Sequence, residues 1–309
     1  MSNRSRLESN IFNDDCSELL ANQEIFPDDS VNLIVTSPPY AEKRKSTYGG
    51  IHTEKYVEWF LPIAEQLKRI LASDGSFILN IKEHPKNGER ETYVLELILA
   101  LKKQGWFWIE EYCWYKKNAF PGKWPNRFRD SWERCLHFAK KKNFQMFQDA
   151  VKVPIGDWSE KRFKSMTEDD FVRRISKNNS HLGRNVSNWL SRKKVYPHNV
   201  LIFEEETRLF RSNVIETAVS ATVKNHSAVF PVELPSWFIR VFTKEDDVVL
   251  DPFLGSGTTA VAATLHKRRY LGIELKKDFF DDASANIAEA NELLEKSRIR
   301  AEKAKQTAA

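Results

Sequence analysis

The chain has 309 residues, 41% of them hydrophobic and 29% charged, with a net charge of +5. That suits one large α/β domain with an insertion, or two ordinary domains, around a substantial core. No run of eighteen apolar residues occurs, and the opening MSNRSRLESN lacks the apolar segment of a signal peptide, so neither a membrane span nor secretion is expected and the default address is the cytoplasm.

In chain order, residues 31–35 (VNLIV) read as a strand buried on both faces, and it runs into Thr36-Ser37-Pro38-Pro39-Tyr40. Two consecutive prolines cannot continue a ladder, because neither has a backbone N–H. A hydroxyl, two stiff carbonyl-bearing residues and an aromatic ring are thereby held at the strand's C-terminal edge, where open α/β sheets bind ligands. Helical spacing follows over Tyr56 to Leu71, with a turn at Asp74-Gly75 and a strand over Ser76 to Ile81. A second helix is predicted over Tyr93 to Lys103, and an extended segment over Phe107 to Tyr115.

The rhythm breaks after Lys142, and residues 143–222 read as a mostly irregular insert that is polar, basic and dotted with aromatics. A helix returns between Phe230 and Phe242, then a strand over Val248 to Leu250, a helix over Ala260 to Leu265 and a strand over Tyr270 to Ile273. The tail from Ile287 to Ala309 reads as a charged, solvated helix. This divides the chain into stretches at 1–142, 143–222 and 223–286 and a tail at 287–309.

Charge is segregated. Residues 116–200 hold 20 Lys and Arg against 8 Asp and Glu, a net +12 that leaves −7 for the rest. Such asymmetry marks a surface for a polyanion. Cys16, Cys113 and Cys135 form no CxxC pair and the seven histidines no HExxH, so a metal-independent chemistry is expected.

The stretch Asp251-Pro252-Phe253-Leu254-Gly255-Ser256-Gly257-Thr258-Thr259, lying between a strand and a helix, has the parts of a nucleoside site. Its glycines allow a tight turn and close approach, the helix start offers N–H donors, and Glu274, ending the next strand, can accept from ribose hydroxyls. It lacks both the third glycine of a dinucleotide fingerprint and the Gly-Lys-Ser/Thr of a phosphate loop, which favours a nucleoside without a pyrophosphate.

Together, the TSPPY and DPFLGSG segments resemble the two signature motifs of S-adenosylmethionine-dependent DNA amino-methyltransferases, in the order of the permuted beta group. The segment around Ala41 to Lys45, Tyr48-Gly49 and Tyr56 to Phe60 is similar to the cytosine-N4 enzymes of the PvuII modification type. Phe12 to Leu20 resembles the family's opening segment, with Asp15 at its acidic position and Asp14 where glycine is usual. Trp114 to Asn118 through Phe138 to Lys140 resembles the aromatic hairpin beside the target base, and Asn225 to Leu234 the segment closing over the cofactor's methionine end.

The resemblance implies a Rossmann-like fold with a mostly parallel seven-stranded sheet, double-stranded DNA as partner and a flipped target cytosine, with 1–142 as the catalytic half, 143–222 as the target recognition insert and 223–286 as the cofactor-binding half. It also implies a modification role in a restriction–modification system, whose endonuclease need not touch this chain. Ser37, Pro38, Pro39 and Tyr40 become the catalytic candidates. Asp15, Phe230, Pro231, Asp251, Phe253, Gly255, Ser256, Gly257, Thr258, Thr259 and Glu274 become the cofactor candidates.

For DNA the candidates are basic or aromatic: Lys43, Arg44, Lys45, Lys123, Trp124, Arg127 and Arg129, then Lys140, Lys141, Lys142, Arg192, Lys193 and Lys194. No cysteine follows a proline, which argues against carbon-5 chemistry and for direct attack by an amine. Three rival readings stand beside this one: adenine N6 as the target, a protein glutamine methyltransferase, which typically carries Asn-Pro-Pro-Tyr, and an inactive DNA-binding protein that keeps the fold.

Overall fold

The computed structural model describes residues 7–43, 50–116, 126–155, 161, 164–166, 194–203 and 230–307. Along the chain run β1 (Asn10–Phe12), α1 (Cys16–Leu19), β2 (Val31–Thr36), α2 (Tyr56–Ile70), β3 (Leu71–Ile81), β4 (Pro85–Lys86), β5 (Glu89–Arg90), α3 (Tyr93–Lys103), β6 (Phe107–Tyr115) and β7 (Trp132–Ala139). They continue as β8 (Val153–Pro154), β9 (Lys194–Val195), β10 (Val200–Ile202), α4 (Glu233–Phe242), β11 (Val248–Asp251), α5 (Thr258–Leu265), β12 (Arg269–Ile273) and α6 (Lys277–Thr307).

Eight strands form one sheet in the order β1-β12-β11-β2-β3-β7-β6-β10. β7 is antiparallel to both β3 and β6, and the other pairs are parallel. The late β11-α5-β12 unit thus sits between β1 and β2, so the two motif-bearing strands are neighbours despite their distance in sequence. The expected sheet is present with one strand more than the seven predicted, because β10, from the stretch read as irregular, adds its three residues to the β6 edge.

β2 is buried at all six positions, which requires cover on both faces. On one face Phe77, Leu79 and Ile81 of β3 join Leu67 and Ile70 of α2 and Leu97 and Leu101 of α3 in one core cluster. On the other, α4 places Phe238 against Tyr112 and Phe242 against His137, with ring centroids 5.3 and 4.6 Å apart. Each large side chain so buried contributes about 1.5–3 kcal/mol.

The turn predicted at Asp74-Gly75 is instead a bulge inside β3. The register passes from Val31↔Leu71 to Leu33↔Ser76. A Cβ on Gly75 would stand 2.7 Å from the Asn32 carbonyl oxygen, so the extra residues are accommodated by a glycine against the neighbouring backbone. The predicted solvated tail is the continuation of α6, which runs unbroken across residue 287. Its first half packs Ala283, Ile287 and Ala290 against Ala260 and Val261 of α5.

By compactness the chain forms two units, Met1–Phe147 with Asn199–Ala309, and Gln148–His198. In the smaller unit β8 pairs with β9, and Asp149 bonds Lys152 at 2.8 Å and the Tyr196 hydroxyl at 3.2 Å. Among the described residues no helix is long and apolar enough to cross a membrane.

Candidate active site

Because β2 and β11 are paired in parallel, with Leu33 opposite Val249 and Ile34 opposite Leu250, the SPPY loop and the glycine loop leave the sheet at the same edge. Asp251 ties them together. Its carboxylate accepts from the Thr36 hydroxyl at 2.6 Å, the Thr259 hydroxyl at 2.7 Å and the Phe253 N–H at 3.1 Å. Burial pushes this carboxyl up to about 6, against the opposing pull of those hydrogen bonds.

The two glycines have different tasks. Gly255 has φ +56°, and a Cβ there would meet nothing within 4 Å, so the loop leaves open space at that point. Gly257, at φ +88°, would bring a Cβ to 3.0 Å from Ala283, so it admits α6 rather than a ligand. Glu274 ends β12 and spends one carboxylate oxygen on Gly255 N–H and the other on Lys276 N–H, both at 2.8 Å. The carboxylate retains acceptor capacity for hydroxyls. Asp15 caps α1 and accepts from the N–H and hydroxyl of Ser17 at 2.8 and 2.7 Å. Ser256 Oγ is buried without a protein partner. An unpartnered hydroxyl, open space at Gly255 and two carboxylates within one loop system fit a polar nucleoside ligand.

On the other side, the Tyr40 hydroxyl donates to Glu133 at 2.8 Å and lies 3.3 Å from the Asn80 side-chain oxygen. Ser37 lines the same cavity wall, and the pKa of the Tyr40 hydroxyl is driven well up by burial and by the Glu133 charge. Lys116 pairs with Glu133 and lies 4.4 Å from the centroid of the Trp114 ring. These groups converge because the β3/β7/β6 register sets Asn80 opposite Cys135 and Trp114 opposite Glu133.

Both loops line one cavity of about 940 Å³. Ser37, Pro38, Pro39, Tyr40 and Lys43 line one side, and Asp15, Phe230, Asp251, Phe253, Gly255, Ser256, Thr258 and Glu274 the other. Three predicted cofactor residues stand off the wall. Thr259 is spent on Asp251, Gly257 on Ala283, and the Pro231 carbonyl accepts from Leu234 N–H at 3.0 Å where α4 begins. Cys16 and Trp59 line the cavity from two of the family-like segments, the Trp59 ring centroid 5.8 Å from that of Phe253, and Asn80 and Glu133 line it without having been singled out. No local motif marks Asn80 and Glu133, since they arrive through strand register.

Of the predicted DNA-contacting residues, Arg44, Lys45, Lys123, Trp124, Arg192 and Lys193 lie outside the described residues. Lys140 is engaged within the fold. Its ammonium bonds Asp29 at 2.7 Å and the Leu71 carbonyl at 2.6 Å, so it closes the C-terminal end of α2 instead of facing solvent. Arg127 lies 3.5 Å from Asp130. Lys142 is exposed with its ammonium 5.7 Å from the centroid of the Phe107 ring, and Arg129, Lys141 and Lys194 are exposed. Phe128, between two arginines, is 96% exposed, which removes it from the core.

Residues 31–285 match the model of the N6 and N4 methyltransferase family described as DNA methylase. The chain is 30% identical over 277 residues to the type II methyltransferase M.PvuII of Proteus hauseri, covering 86% of this chain and 79% of that one. To M.BglII of Bacillus subtilis it is 26% identical, over 88% and 67% of the two chains. Among solved structures, the cytosine-N4-specific PvuII DNA methyltransferase superposes with a TM-score of 0.64 at 24% identity, covering 93% of this chain and 91% of that one. The M1.HpyAVI–SAM complex gives 0.53 at 18% identity, over 89% and 98%.

Proposed function

The chain belongs to the DNA methylase family of N6 and N4 methyltransferases, and from that premise we propose that it methylates the exocyclic N4 amine of a cytosine flipped out of double-stranded DNA. The methyl donor in this reading is S-adenosylmethionine, and the role is that of the modification enzyme of a restriction–modification system. The observation that carries it is the position of Ser37, in an SPPY loop that shares one cavity with Gly255 and Glu274. The relative that is cytosine-N4-specific by name supports the choice of base.

An exocyclic amine is a poor nucleophile because its lone pair is delocalised into the ring. Ser37 Oγ and the Pro38 carbonyl are acceptors for its two N–H bonds, favouring the pyramidal nitrogen that can attack and stabilising the charge that develops on it. The prolines hold the carbonyl without adding donors of their own. Tyr40 offers a stacking face to an extruded base. When bound, the cofactor supplies an electrophilic methyl group on a sulfonium. Gly255, Ser256 and Glu274 hold its nucleoside, and Asp251 keeps that loop in register with Ser37 through Thr36.

Unmethylated DNA treated with the protein and isotopically labelled cofactor, then digested to nucleosides and analysed by mass spectrometry, should yield N4-methylcytosine. N6-methyladenine would move the target to adenine, and no labelled base would favour an inactive DNA-binding protein. 5-Methylcytosine would overturn amine attack. That chemistry needs a thiolate, whereas Cys16, the cysteine at the cavity wall, has its thiol pushed up by burial.

A further inference from the structure

Glu133 lies in β7, outside both signature loops, yet its carboxylate organises the catalytic one. One oxygen accepts from Tyr40 Oη at 2.8 Å and from Asn80 Nδ2 at 3.2 Å, and the other is paired with Lys116. Its side chain is 13% exposed and lines the cavity. A tyrosine that served only to stack a base would have no need of its hydroxyl. Here that hydroxyl gives its single proton to Glu133, which leaves its lone pairs on the cavity wall that it shares with Ser37. A Ser37 hydroxyl that turns its proton toward Tyr40 faces the cavity with lone pairs alone, which is the polarity an amine donor requires.

A neutral serine can orient an N–H but cannot keep the proton that the methylated amine must lose. We propose that Glu133 is the positioning residue and terminal proton acceptor of the reaction, acting through Tyr40 and Ser37; the proposal rests on the placement of the amine at Ser37 argued above. As the N–CH3 bond forms, the donor's S–CH3 bond breaks and its electron pair stays on sulfur. The amine N–H proton passes to Ser37 Oγ, the Ser37 hydroxyl proton to Tyr40 Oη, and the Tyr40 proton to the Glu133 carboxylate. The sulfonium charge and the carboxylate charge are both discharged, leaving a neutral thioether, a neutral methylated amine, two intact hydroxyls and a carboxylic acid that loses its proton to water before the next turnover.

The other carboxylates of the two loop systems are committed elsewhere: Asp251 to Thr36 and Thr259, Glu274 to Gly255 and Lys276, and Asp15 to Ser17. Facing Glu133 from the neighbouring elements are the cations Lys116 and Lys82. Tyr40, Tyr93 and Cys135 also face it, and each is kept neutral by burial.

The test is single-turnover methylation of unmethylated plasmid DNA across the acid-to-alkaline range, with cofactor affinity by calorimetry and thermal unfolding measured alongside. Glu133→Gln and Tyr40→Phe should each lower turnover roughly 10²-fold or more and abolish the acid limb of the profile. Both should leave cofactor affinity unchanged, and thermal unfolding should show that each variant is folded. Glu133→Asp should restore part of the rate together with the acid limb. Wild-type turnover and an unaltered acid limb in Glu133→Gln would overturn the proposal. If that variant does not fold, wild-type turnover in Tyr40→Phe, which keeps the stacking ring, would overturn it equally. A fully active Ser37→Ala would remove the placement of the amine instead, whereas a slow Ser37→Ala beside unaffected Glu133→Gln and Tyr40→Phe would remove the relay alone.

Discussion

Thr36 and Asp251, 215 positions apart in the chain, are joined by a hydrogen bond of 2.6 Å from the threonine hydroxyl to the carboxylate. It ties the strand that delivers Ser37 to the strand that delivers the glycine loop. The acid is thus a brace between two binding edges, and its other partners, Phe253 N–H and Thr259, extend the brace into α5.

Asp251 should leave a signature in the pH dependence of stability. Its folded pKa, pushed up to about 6, lies above the ordinary carboxylate value, so the stability linked to its protonation is fully present below the unfolded pKa and is lost as pH rises through about 6. Relative to Asp251→Asn, the wild type should therefore gain about 1 kcal/mol between neutral and mildly acidic pH. Denaturant unfolding of both proteins at the two pH values checks this, and a constant difference would contradict the raised pKa.

The two glycines should separate fold from binding. Gly257→Val places a branched side chain at φ +88° against Ala283, and should cost about 1–3 kcal/mol of stability through the α5–α6 packing. Gly255→Ala meets open space but carries the strain of a left-handed φ of +56°, about 1–2 kcal/mol, and should in addition weaken cofactor binding, which Gly257→Val should not. Thermal unfolding and calorimetry on both variants distinguish the effects, and equal reductions in affinity at equal stability would refute the division.

Glu274→Gln keeps the shape of the side chain but can accept through only one atom where the carboxylate accepts through two, from Gly255 and Lys276. Cofactor affinity should drop by about 1.5–3 kcal/mol, measured by calorimetry, while DNA affinity in the absence of cofactor stays the same.

For DNA, neighbouring lysines should behave differently. Lys141→Ala or Arg129→Ala should flatten the dependence of log K on log salt by about 0.9 for each phosphate that is no longer neutralised. Lys140→Ala should instead leave the slope intact and cost about 1.5–3 kcal/mol of stability, since its ammonium serves Asp29 and the Leu71 carbonyl. Salt titrations of binding and urea unfolding read the two outcomes; a change in slope for Lys140→Ala would return it to the interface.

Much of the layout was legible because it is local. The buried run before TSPPY, the strand–glycine–helix unit at Asp251 and the acid ending β12 are each specified by residues a few positions apart, through backbone restriction at proline and glycine and through apolar continuity. The elements without a sequence signal were short or masked by neighbours. β1 has three residues and α1 four, too few for a periodic pattern, and the bulge at Gly75 presents turn chemistry inside a strand.

Taken alone, the sequence determined which loops carry the family motifs and the order in which they occur. Only the tertiary structure decided that Glu133 and Asn80 stand behind Tyr40, that Gly257 faces a helix while Gly255 faces the cavity, and that Lys140 is a structural cation. The reason is register. Asn80 meets Cys135 and Trp114 meets Glu133 in one alignment of β3, β7 and β6, and a slip of one residue would turn every side chain of the moved strand to the opposite face. That alignment is chosen by the packing of the whole sheet between its helices, which no local stretch of residues encodes.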